Sequence, residues 1–287
     1  MKKFGLIGFP VKGSLSPLLF GAAYQGRYAY DLIEEPDFGS AFRKFIDGYD
    51  GVNVTAPFKE EAFRKADIID PVCRKIGATN LLVKEEGGIH AYNSDYIGIV
   101  RSIAGAVLPD AGITSGNIQD AIYGAFGHVP YALVAGCGGA GRAAAIAAAD
   151  LGFKTILTNR TPAKAQMVAE SLPEYGFSVR PAESFPGLFW ECDLIIYTVP
   201  GKTDWIGMIP GHIPAGKEAS PKYILEANYK TPSFSGATMS MLQGICPGLH
   251  YISGLDWLLH QAAGGYRLFT GEEPDFKAME QALTNHL

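Results

Sequence analysis

Apolar and polar positions along the first hundred residues follow two different periods, which predict a mixture of strands and helices. Three short stretches have the apolar or alternating pattern of strands: residues 4–9, 28–35 and 51–57. Residues 16–25 are apolar with a proline in second place, where a helix tolerates it, and residues 97–107 also have a helical pattern. Between them, residues 79–92 predict a β-hairpin that turns at Gly87 and Gly88. This region is therefore predicted to be an α/β domain.

The alternation becomes more regular from residue 131 onward. Apolar strands are predicted at three places: residues 131–136, 154–160 and 193–200. Helices are predicted between them, at residues 136–152 and 162–172. Because strands that alternate with helices form βαβ units, this region is predicted to hold a parallel sheet. Residues 105–130, which separate the two regions, have no clear pattern apart from a short helical piece.

A last helix is predicted at residues 255–269, near the end of the chain. Its apolar side chains recur at helical spacing on one face: Leu255, Leu258, Leu259, Ala262, Tyr266 and Phe269.

Composition and charge narrow the class of protein. The chain has 287 residues, of which 47% are hydrophobic and 18% charged, so it has enough apolar side chains for a sizeable core. A formal net charge of -5 without a basic tract argues against nucleic-acid binding. The four cysteines and six histidines are scattered, so no disulfide framework or metal site is predicted. Since no signal peptide or apolar run of ~18 residues is present, we expect a cytoplasmic protein that does not bind membranes.

A glycine-rich turn follows the strand at 131–136 and begins the next helix. Its residues Gly136, Gly138, Gly139 and Ala140 are candidates for cradling a dinucleotide pyrophosphate, because glycines permit a tight turn and close backbone approach. The N-terminus of the helix then favours the negative charge of the phosphates. Any tight turn between a strand and a helix is the alternative, and the strand that ends about 20 residues later favours the dinucleotide.

That second strand ends where a Rossmann domain normally contacts the ribose. The side chains there are polar or basic: Asn159, Arg160, Thr161 and Lys164. NAD sites usually carry an acidic residue at this place, but here the nearest one is Glu170. A guanidinium binds a phosphate through two charge-assisted hydrogen bonds, so the cofactor is predicted to be NADP. Thr161 is also expected to cap the helix that begins at Pro162.

Six short stretches of the chain form an ordered series of motifs. They are FGLIGFPVKGSLSP at 4–17, GVNVTAPFK at 51–59, IGATN at 76–80, YNSDYIG at 92–98, NRT at 159–161 and GLDWLLHQA at 254–262. In this order they resemble the motifs of the shikimate dehydrogenase family, which includes the shikimate and quinate dehydrogenases and has the signature G-x-N-V-T-x-P-F-K. The resemblance extends over nearly the whole chain.

The resemblance implies roles for individual residues. Lys59 and Asp95 correspond to the catalytic pair, and Ser14 and Ser16 to the hydroxyls that bind the substrate carboxylate. Four further residues correspond to groups that contact the ring hydroxyls or the carboxylate: Thr55, Asn80, Tyr229 and Gln261. Gly254 corresponds to a glycine near the nicotinamide. The strand at 51–54 would then direct Asn53 as well as Thr55 and Lys59 at one polyhydroxylated ring.

Each of these residues also has a simpler interpretation when it is taken alone. Lys59 would be a solvated surface lysine, and Asp95 a turn former. Ser14 and Ser16 would cap the helix that begins at Pro17.

The resemblance further implies two domains and one reaction. Residues 1–100, completed by 249–287, would be an α/β substrate-binding domain, and residues 101–248 a doubly wound Rossmann domain that binds NADP. The reaction would be the reversible, NADP-dependent reduction of 3-dehydroshikimate to shikimate in aromatic amino acid and chorismate biosynthesis, and a homodimer is compatible with the family. Quinate or aminoshikimate dehydrogenation and a non-catalytic NADP-binding module are the alternatives.

The chain departs from the family pattern at several places, one of which is that residues 105–130 are longer than usual. Gly13 replaces a histidine before the first serine, and Trp257 replaces a methionine. The family's N-A-T-P near the nicotinamide is Tyr-Thr-Val-Pro at 197–200, and D-x-x-Y-x-P is Glu-Ala-Asn-Tyr-Lys-Thr at 226–231. These changes would affect how the cofactor stacks and which substrates fit.

Overall fold

The computed structural model describes residues 2–109, 118–214 and 221–286, and the chain divides into two compact units. The first unit consists of Met1–Gly98 and Leu258–Leu287, and the second of Ile99–Trp257. The sequence placed the return to the first domain at residue 249. In the structure it comes later, because residues 249–252 form a strand of the second unit's sheet. Within residues 105–130, residues 110–117 lie outside the described part of the chain.

Six strands of the first unit form one mixed sheet in the order β2-β1-β3-β5-β6-β4. Their bounds are β1 Lys3–Gly8, β2 Ala29–Glu34, β3 Gly51–Val54, β4 Ile68–Ile69, β5 Leu81–Glu85 and β6 Gly88–Tyr92. The predicted hairpin is confirmed, since β5 and β6 are antiparallel and Glu85 pairs with Gly88 across the turn. Its first strand also pairs with β3, antiparallel, which places the end of β3 next to Asn80.

The helices of the first unit pack on this sheet through short apolar faces. They are α1 Ser16–Ala23, α2 Phe38–Gly48, α3 Lys59–Lys65 and α4 Pro71–Ile76. In α2 the Asp37 carboxylate accepts a hydrogen bond from the backbone N–H of Ser40 and caps the helix. The helix then buries Phe38, Ala41 and Phe45 in the same core cluster as Val52 and Val54 of β3.

The second unit is built on a parallel sheet of six strands in the order β12-β11-β10-β7-β8-β9. Their bounds are β7 Tyr131–Ala135, β8 Lys154–Thr158, β9 Ser178–Val179, β10 Leu194–Tyr197, β11 Lys222–Glu226 and β12 Leu249–Ile252. Read from β9, this is the order 3-2-1-4-5-6 of a Rossmann fold, so the predicted fold class is confirmed. The order reverses between β7 and β10, and ligands of such sheets bind at the carboxyl ends of the strands there.

Helices connect these strands and cover the sheet. They are α5 Ser94–Val107, which begins in the first unit, α6 Ile118–Phe126, α7 Gly139–Asp150, α8 Pro162–Ser171, α9 Phe185–Glu191, α10 Asp204–Met208 and α11 Gly236–Ile245. The alanines of α7 are fully buried from Ala143 to Ala148 together with Ile146. Because small side chains let a helix approach a sheet closely, this helix lies directly on the strands beside the glycine turn.

The last two helices, α12 Gly254–Thr270 and α13 Phe276–His286, carry the chain back to the first unit. Of the predicted apolar face of α12, five side chains are buried and Leu255 is partly exposed in the first turn. Phe269 stacks on Phe4 of β1 with ring centroids 4.9 Å apart, and Tyr266 meets Phe20 of α1 edge-on. In the described part of the chain, no helix is long and apolar enough to cross a membrane.

Candidate active site

Lys59 and Asp95 form an ion pair in the first unit. The ammonium nitrogen of Lys59 lies 2.5 Å from Oδ2 of Asp95, although the residues are 36 positions apart in sequence. Lys59 is the first residue of α3 and Asp95 lies in the first turn of α5. The side chain of Lys59 is 20% exposed and that of Asp95 is 6% exposed, so the pair is largely removed from water but keeps an open side.

The backbone around this pair is fixed by hydrogen bonds from the ends of β5 and β6. The N–H of Thr79 donates to the carbonyl oxygen of Lys59. The side chain of Asn80 bonds Ser94 twice: Oδ1 accepts from the Ser94 N–H at 2.7 Å, and Nδ2 donates to its hydroxyl at 3.0 Å. Since Ser94 directly precedes Asp95, Asn80 holds the start of α5 in place. An amide nitrogen has two protons, so one donor of Asn80 remains for another group.

Ser14 and Ser16 lie at the start of α1, close to one another. The hydroxyl of Ser14 donates to that of Ser16 at 3.1 Å and accepts from the Ser16 N–H at 3.2 Å. The cap residue of α1 is Leu15 and no side chain caps the helix, so the expectation that the serines act as helix caps is wrong. Gly13, in the histidine position of the family, has a φ of 79°, a left-handed conformation that favours glycine.

Thr55 follows β3 and packs closely against β1. Its N–H donates to the carbonyl oxygen of Ile7, and a Cβ on Gly8 would lie 2.4 Å from the Thr55 methyl group. Glycine at position 8 therefore permits Thr55 to lie this close to β1. Asn53, one of the residues expected to face the substrate ring, accepts a hydrogen bond from the Tyr30 hydroxyl at 2.7 Å.

Gln261 and Tyr229 belong to different units. Gln261 lies on α12, in the first unit, and its Oε1 is buried without a hydrogen-bond partner among the described residues. Four residues further on, a Cβ on Gly265 would lie 3.1 Å from the Ser94 hydroxyl, so this face of α12 borders the start of α5. Tyr229 lies in the second unit after β11, and burial raises the pKa of its phenol.

The glycine turn in the second unit permits close packing between β7 and α7. Gly136 has a φ of 100°, and a Cβ on Gly141 would lie 2.0 Å from the Gly136 carbonyl oxygen. Gly138 is the cap residue of α7 and no side chain caps that helix. A Cβ on Gly138 would meet nothing within 4 Å, so space is open beside the helix N-terminus. The N–H groups of the first turn, at Gly139 and Ala140, have no partner within the helix.

The end of β8 brings polar groups to the same turn. Oδ1 of Asn159 accepts from the N–H of Cys137 at 3.2 Å, and its Nδ2 donates to the carbonyl oxygen of Thr161. Arg160 and Lys164 are exposed, and neither forms an ion pair with a residue that the structure describes. Thr161 is the cap residue of α8, but its side chain makes no capping hydrogen bond, which corrects that expectation.

Two of the departures from the family pattern have defined surroundings in the second unit. The segment 197–200 lies beside the glycine turn, and the segment 226–231 begins beside the start of α12. The hydroxyl of Thr198 donates to the carbonyl oxygen of Ala135 at 2.8 Å and lies 2.5 Å from where a Gly136 Cβ would be. At Gly254, a Cβ would lie 2.7 Å from the carbonyl oxygen of Glu226. Glu226 is fully buried, and its carboxylate accepts from the N–H groups of Ser233 and Phe234, which fixes the segment that carries Tyr229.

The structure thus brings three predicted residues together. Lys59 bonds Asp95 directly, and Asn80 is linked to Asp95 through its hydrogen bonds to Ser94. Sequence reasoning missed Ser94, although it lies within the motif-like stretch at 92–98, and Tyr30, which lies outside every such stretch. Both bond residues that the sequence singled out. For Ser94, the signal was a polar residue at the start of a helix, directly before Asp95. Among the described residues, no group of three or more His, Cys, Asp or Glu side chains could hold a metal ion.

Comparison with known proteins gives a consistent result. The family model of the shikimate dehydrogenase substrate-binding domain matches residues 6–82, and that of the shikimate 5′-dehydrogenase C-terminal domain matches residues 254–284. The shikimate dehydrogenase (NADP(+)) of Moorella thermoacetica is 30% identical over 97% of this chain and 91% of its own length. That of Archaeoglobus fulgidus is 29% identical over 100% of this chain and 99% of its own.

Solved structures agree with these relatives. The shikimate 5-dehydrogenase of Thermus thermophilus in complex with NADP(H) and shikimate superposes with a TM-score of 0.74 at 28% identity, covering 100% of both chains. The shikimate dehydrogenase of Mycobacterium tuberculosis gives a TM-score of 0.77 at 26% identity, also covering 100% of both chains. From its motifs, its fold and its full-length relatives, the chain belongs to the shikimate dehydrogenase family.

Proposed function

We propose that the protein is an NADP-dependent shikimate dehydrogenase, which reversibly reduces 3-dehydroshikimate to shikimate. The observation that carries the proposal is the ion pair of Lys59 and Asp95, in a chain that is 30% identical to a curated shikimate dehydrogenase (NADP(+)). A protein that only bound NADP would need no proton donor beside the substrate, so the pair favours an enzyme over a binding module.

Lys59 would supply the proton in this reaction. Reduction of a ring ketone produces negative charge on its oxygen, and an ammonium group close to that oxygen stabilises the charge and donates a proton. An ammonium group has three donors, and Asp95 occupies one of them, at 2.5 Å. Asp95 would therefore orient the lysine and leave its other donors for the substrate oxygen.

The remaining predicted residues of the first unit would hold the ring. Ser14 and Ser16 present two hydroxyls in one place, which suits a carboxylate that accepts two hydrogen bonds. Asn80 keeps one amide proton for a ring hydroxyl, and the buried Oε1 of Gln261 is an unused acceptor for another. We assign Thr55 and Tyr229 to substrate binding on the family correspondence.

The second unit would bind NADP. The uncapped N-terminus of α7 with its glycine turn suits a pyrophosphate, and the exposed Arg160 and Lys164 suit a 2′-phosphate. Asn159 and Thr161 add polar groups beside Arg160. Gly254, which lacks a side chain, lets the start of α12 lie close to the backbone at Glu226. When bound, the cofactor supplies the hydride for the carbonyl carbon. The structure of the Thermus thermophilus relative is a complex with NADP(H) and shikimate.

We accordingly assign substrate binding to the first unit and NADP binding to the second. For this proposal we use the bounds of the two compact units, which are Met1–Gly98 with Leu258–Leu287 for the first and Ile99–Trp257 for the second.

A spectrophotometric panel tests the function. The purified protein is assayed with shikimate, quinate and aminoshikimate, each with NADP and with NAD. We expect the highest kcat/KM for shikimate with NADP. A higher kcat/KM for quinate or aminoshikimate would mean that the protein is a quinate or aminoshikimate dehydrogenase. If no pair of substrate and cofactor gave turnover, the protein would be a non-catalytic NADP-binding module.

A cytoplasmic location and a homodimer stay predictions. Cell fractionation and light scattering of the purified protein test them.

A further inference from the structure

Thr198, the first residue after β10, bonds the end of β7 through its side chain as well as its backbone. Its N–H and its hydroxyl both donate to the carbonyl oxygen of Ala135, at 2.9 and 2.8 Å. The backbone bond continues the ladder between the two parallel strands, in which Tyr197 lies opposite Ala135. The hydroxyl bond is additional, and the alanine of the family's N-A-T-P pattern could not make it. Thr198 therefore gives this chain a second tie between β10 and β7, where the strand order reverses.

The carbonyl group that accepts these bonds belongs to the peptide unit that leads into the glycine turn. The C=O of Ala135 and the N–H of Gly136 lie in one plane, because the peptide bond between them is rigid. On its other side, the N–H of Gly136 donates to the carbonyl oxygen of Thr158, at the end of β8, at 2.8 Å. This peptide unit is thus held from β10 and from β8, so its orientation is fixed before the chain turns at Gly136, whose φ is 100°.

The Thr198 hydroxyl also lies beside both glycines that determine the path of the turn. A Cβ on Gly136 would lie 2.5 Å from the hydroxyl oxygen, and a Cβ on Gly141 would lie 3.1 Å from it. A hydroxyl oxygen is smaller than a methyl group and donates a hydrogen bond that a methyl group lacks. The close packing at this place therefore depends on the oxygen.

We propose that Thr198 is a positioning residue for the dinucleotide pyrophosphate. Its hydroxyl bond to Ala135 fixes the peptide unit before the glycine turn, and this determines where the N–H groups at the start of α7 point. Those N–H groups, at Gly139 and Ala140, are the ones that suit a pyrophosphate, and a turn that leaves in another direction would move them away from the phosphate oxygens. Thr198 acts through the backbone of the turn. The inference rests on the proposed binding of NADP by the second unit.

Three substitutions at position 198 test this. Thr198→Val and Thr198→Ala remove the hydroxyl, whereas Thr198→Ser keeps it. Loss of one neutral hydrogen bond should raise the dissociation constant for NADP by about 3- to 10-fold in the valine and alanine variants, and the serine variant should stay within about twofold of wild type. The dissociation constant for NAD should rise by the same factor, because both cofactors carry the pyrophosphate. Isothermal titration calorimetry measures these constants.

Thr155→Val is the matched control variant. The Thr155 hydroxyl also donates to a carbonyl oxygen, that of Phe153, at 3.2 Å, but it lies near the amino end of β8, away from the glycine turn. The variant should keep the dissociation constant for NADP within about twofold of wild type, even if its melting temperature falls. Adenosine 2′-monophosphate is the matched ligand, because it has the 2′-phosphate and no pyrophosphate. Its dissociation constant should change by less than about twofold in Thr198→Val.

Three results would overturn the inference: NADP binding to Thr198→Ala that is as tight as to wild type, a loss in Thr198→Ser as large as in Thr198→Val, or equal losses for NADP and adenosine 2′-monophosphate. If Thr198→Val did not fold, the comparison of Thr198→Ala with Thr198→Ser would decide. Wild-type protein that does not bind NADP would instead overturn the proposed function.

Discussion

At the scale of single residues, the site contains one basic side chain that is held by an ion pair and another that is exposed and unpaired among the described residues. Lys59 is bonded to a largely buried carboxylate, so its ammonium is held at one place although lysine is a flexible side chain. Arg160 is the opposite case, because it is exposed and has no ion pair with a described residue. The first arrangement suits a group that acts on a reacting atom, and the second suits one that binds an incoming phosphate.

Replacing Lys59 with alanine should reduce kcat by about 10²–10⁴-fold, the usual effect of losing a positioned acid or base. KM for shikimate should change far less, because the lysine acts mainly on charge that develops in the transition state. Steady-state kinetics in both directions measure this. Lys65→Ala, at the other end of α3, is the control and should keep normal kcat. A folded Lys59→Ala protein with near-normal kcat would contradict the proton-donor role.

Replacing Arg160 with alanine should weaken NADPH binding. A charge-assisted hydrogen bond contributes about 1.5–3 kcal/mol, so the dissociation constant for NADPH should rise by about 10- to 150-fold. The dissociation constant for NADH should stay nearly the same, because NADH lacks the 2′-phosphate. Titration of both cofactors on the variant measures the difference, with Arg180→Ala as a control elsewhere on the second unit. Equal losses for NADPH and NADH would show that Arg160 has a structural role.

At the scale of elements, two glycines allow neighbouring segments to lie unusually close together. Gly8 lets Thr55 approach β1, and Gly141 lets the first turn of α7 approach the Gly136 carbonyl. Both contacts involve an atom within 2.4 Å of a hypothetical Cβ, so a side chain is excluded there. The position of the α7 N-terminus, and hence of its free N–H groups, follows from the second contact.

The Gly141→Ala variant should lower the free energy of unfolding by about 1–3 kcal/mol, because the methyl group forces a backbone shift. NADP affinity should fall with it, since the shift moves the start of α7. Gly105→Ala is the control: it lies on the exposed side of α5 with nothing within 4 Å of a Cβ, and it should stabilise by about 0.5–1 kcal/mol. Urea unfolding curves of both variants check this, and an unchanged midpoint for Gly141→Ala would contradict it.

At the scale of the whole molecule, several carboxylates of the first unit have lowered pKa values: Asp31, Glu34, Asp37 and Glu272. The causes are hydrogen bonds that favour the charged form. Lys3 bonds Asp31, and the N–H groups of Val11 and then Lys12 bond Glu34, which ties the loop before Ser14 to β2. The N–H of Ser40 bonds Asp37, and Tyr28 and then Arg27 bond Glu272.

These shifts predict loss of stability in acid. A carboxylate whose pKa is lower in the folded protein stabilises it above the unfolded value, about 3.8 for Asp and 4.5 for Glu, and less as pH falls through the folded value. The melting temperature should therefore be steady from about pH 7 to 5 and fall below about pH 4.5. Glu34→Gln should make that fall shallower. A melting temperature unchanged down to about pH 3 would contradict the prediction.

Much of the local structure could be predicted from the sequence, because it depends on neighbours along the chain. The apolar periods predicted the hairpin β5–β6 and the alternation of strands and helices from β7 onward, and the glycine turn predicted the start of α7. The family motifs supplied the roles of Lys59 and Asp95, which remain to be tested by the variants above. The sequence alone determined the fold class because periodicity reports which face of each element is buried.

Only the tertiary structure decided which distant side chains bond. The strand order β2-β1-β3 brings Tyr30 to Asn53, and the side chain of Asn80 hydrogen-bonds Ser94. The limit of the second unit moved to residue 257 because β12 pairs with β11. Such contacts depend on strand order and register across many residues, and local periodicity carries no information about them.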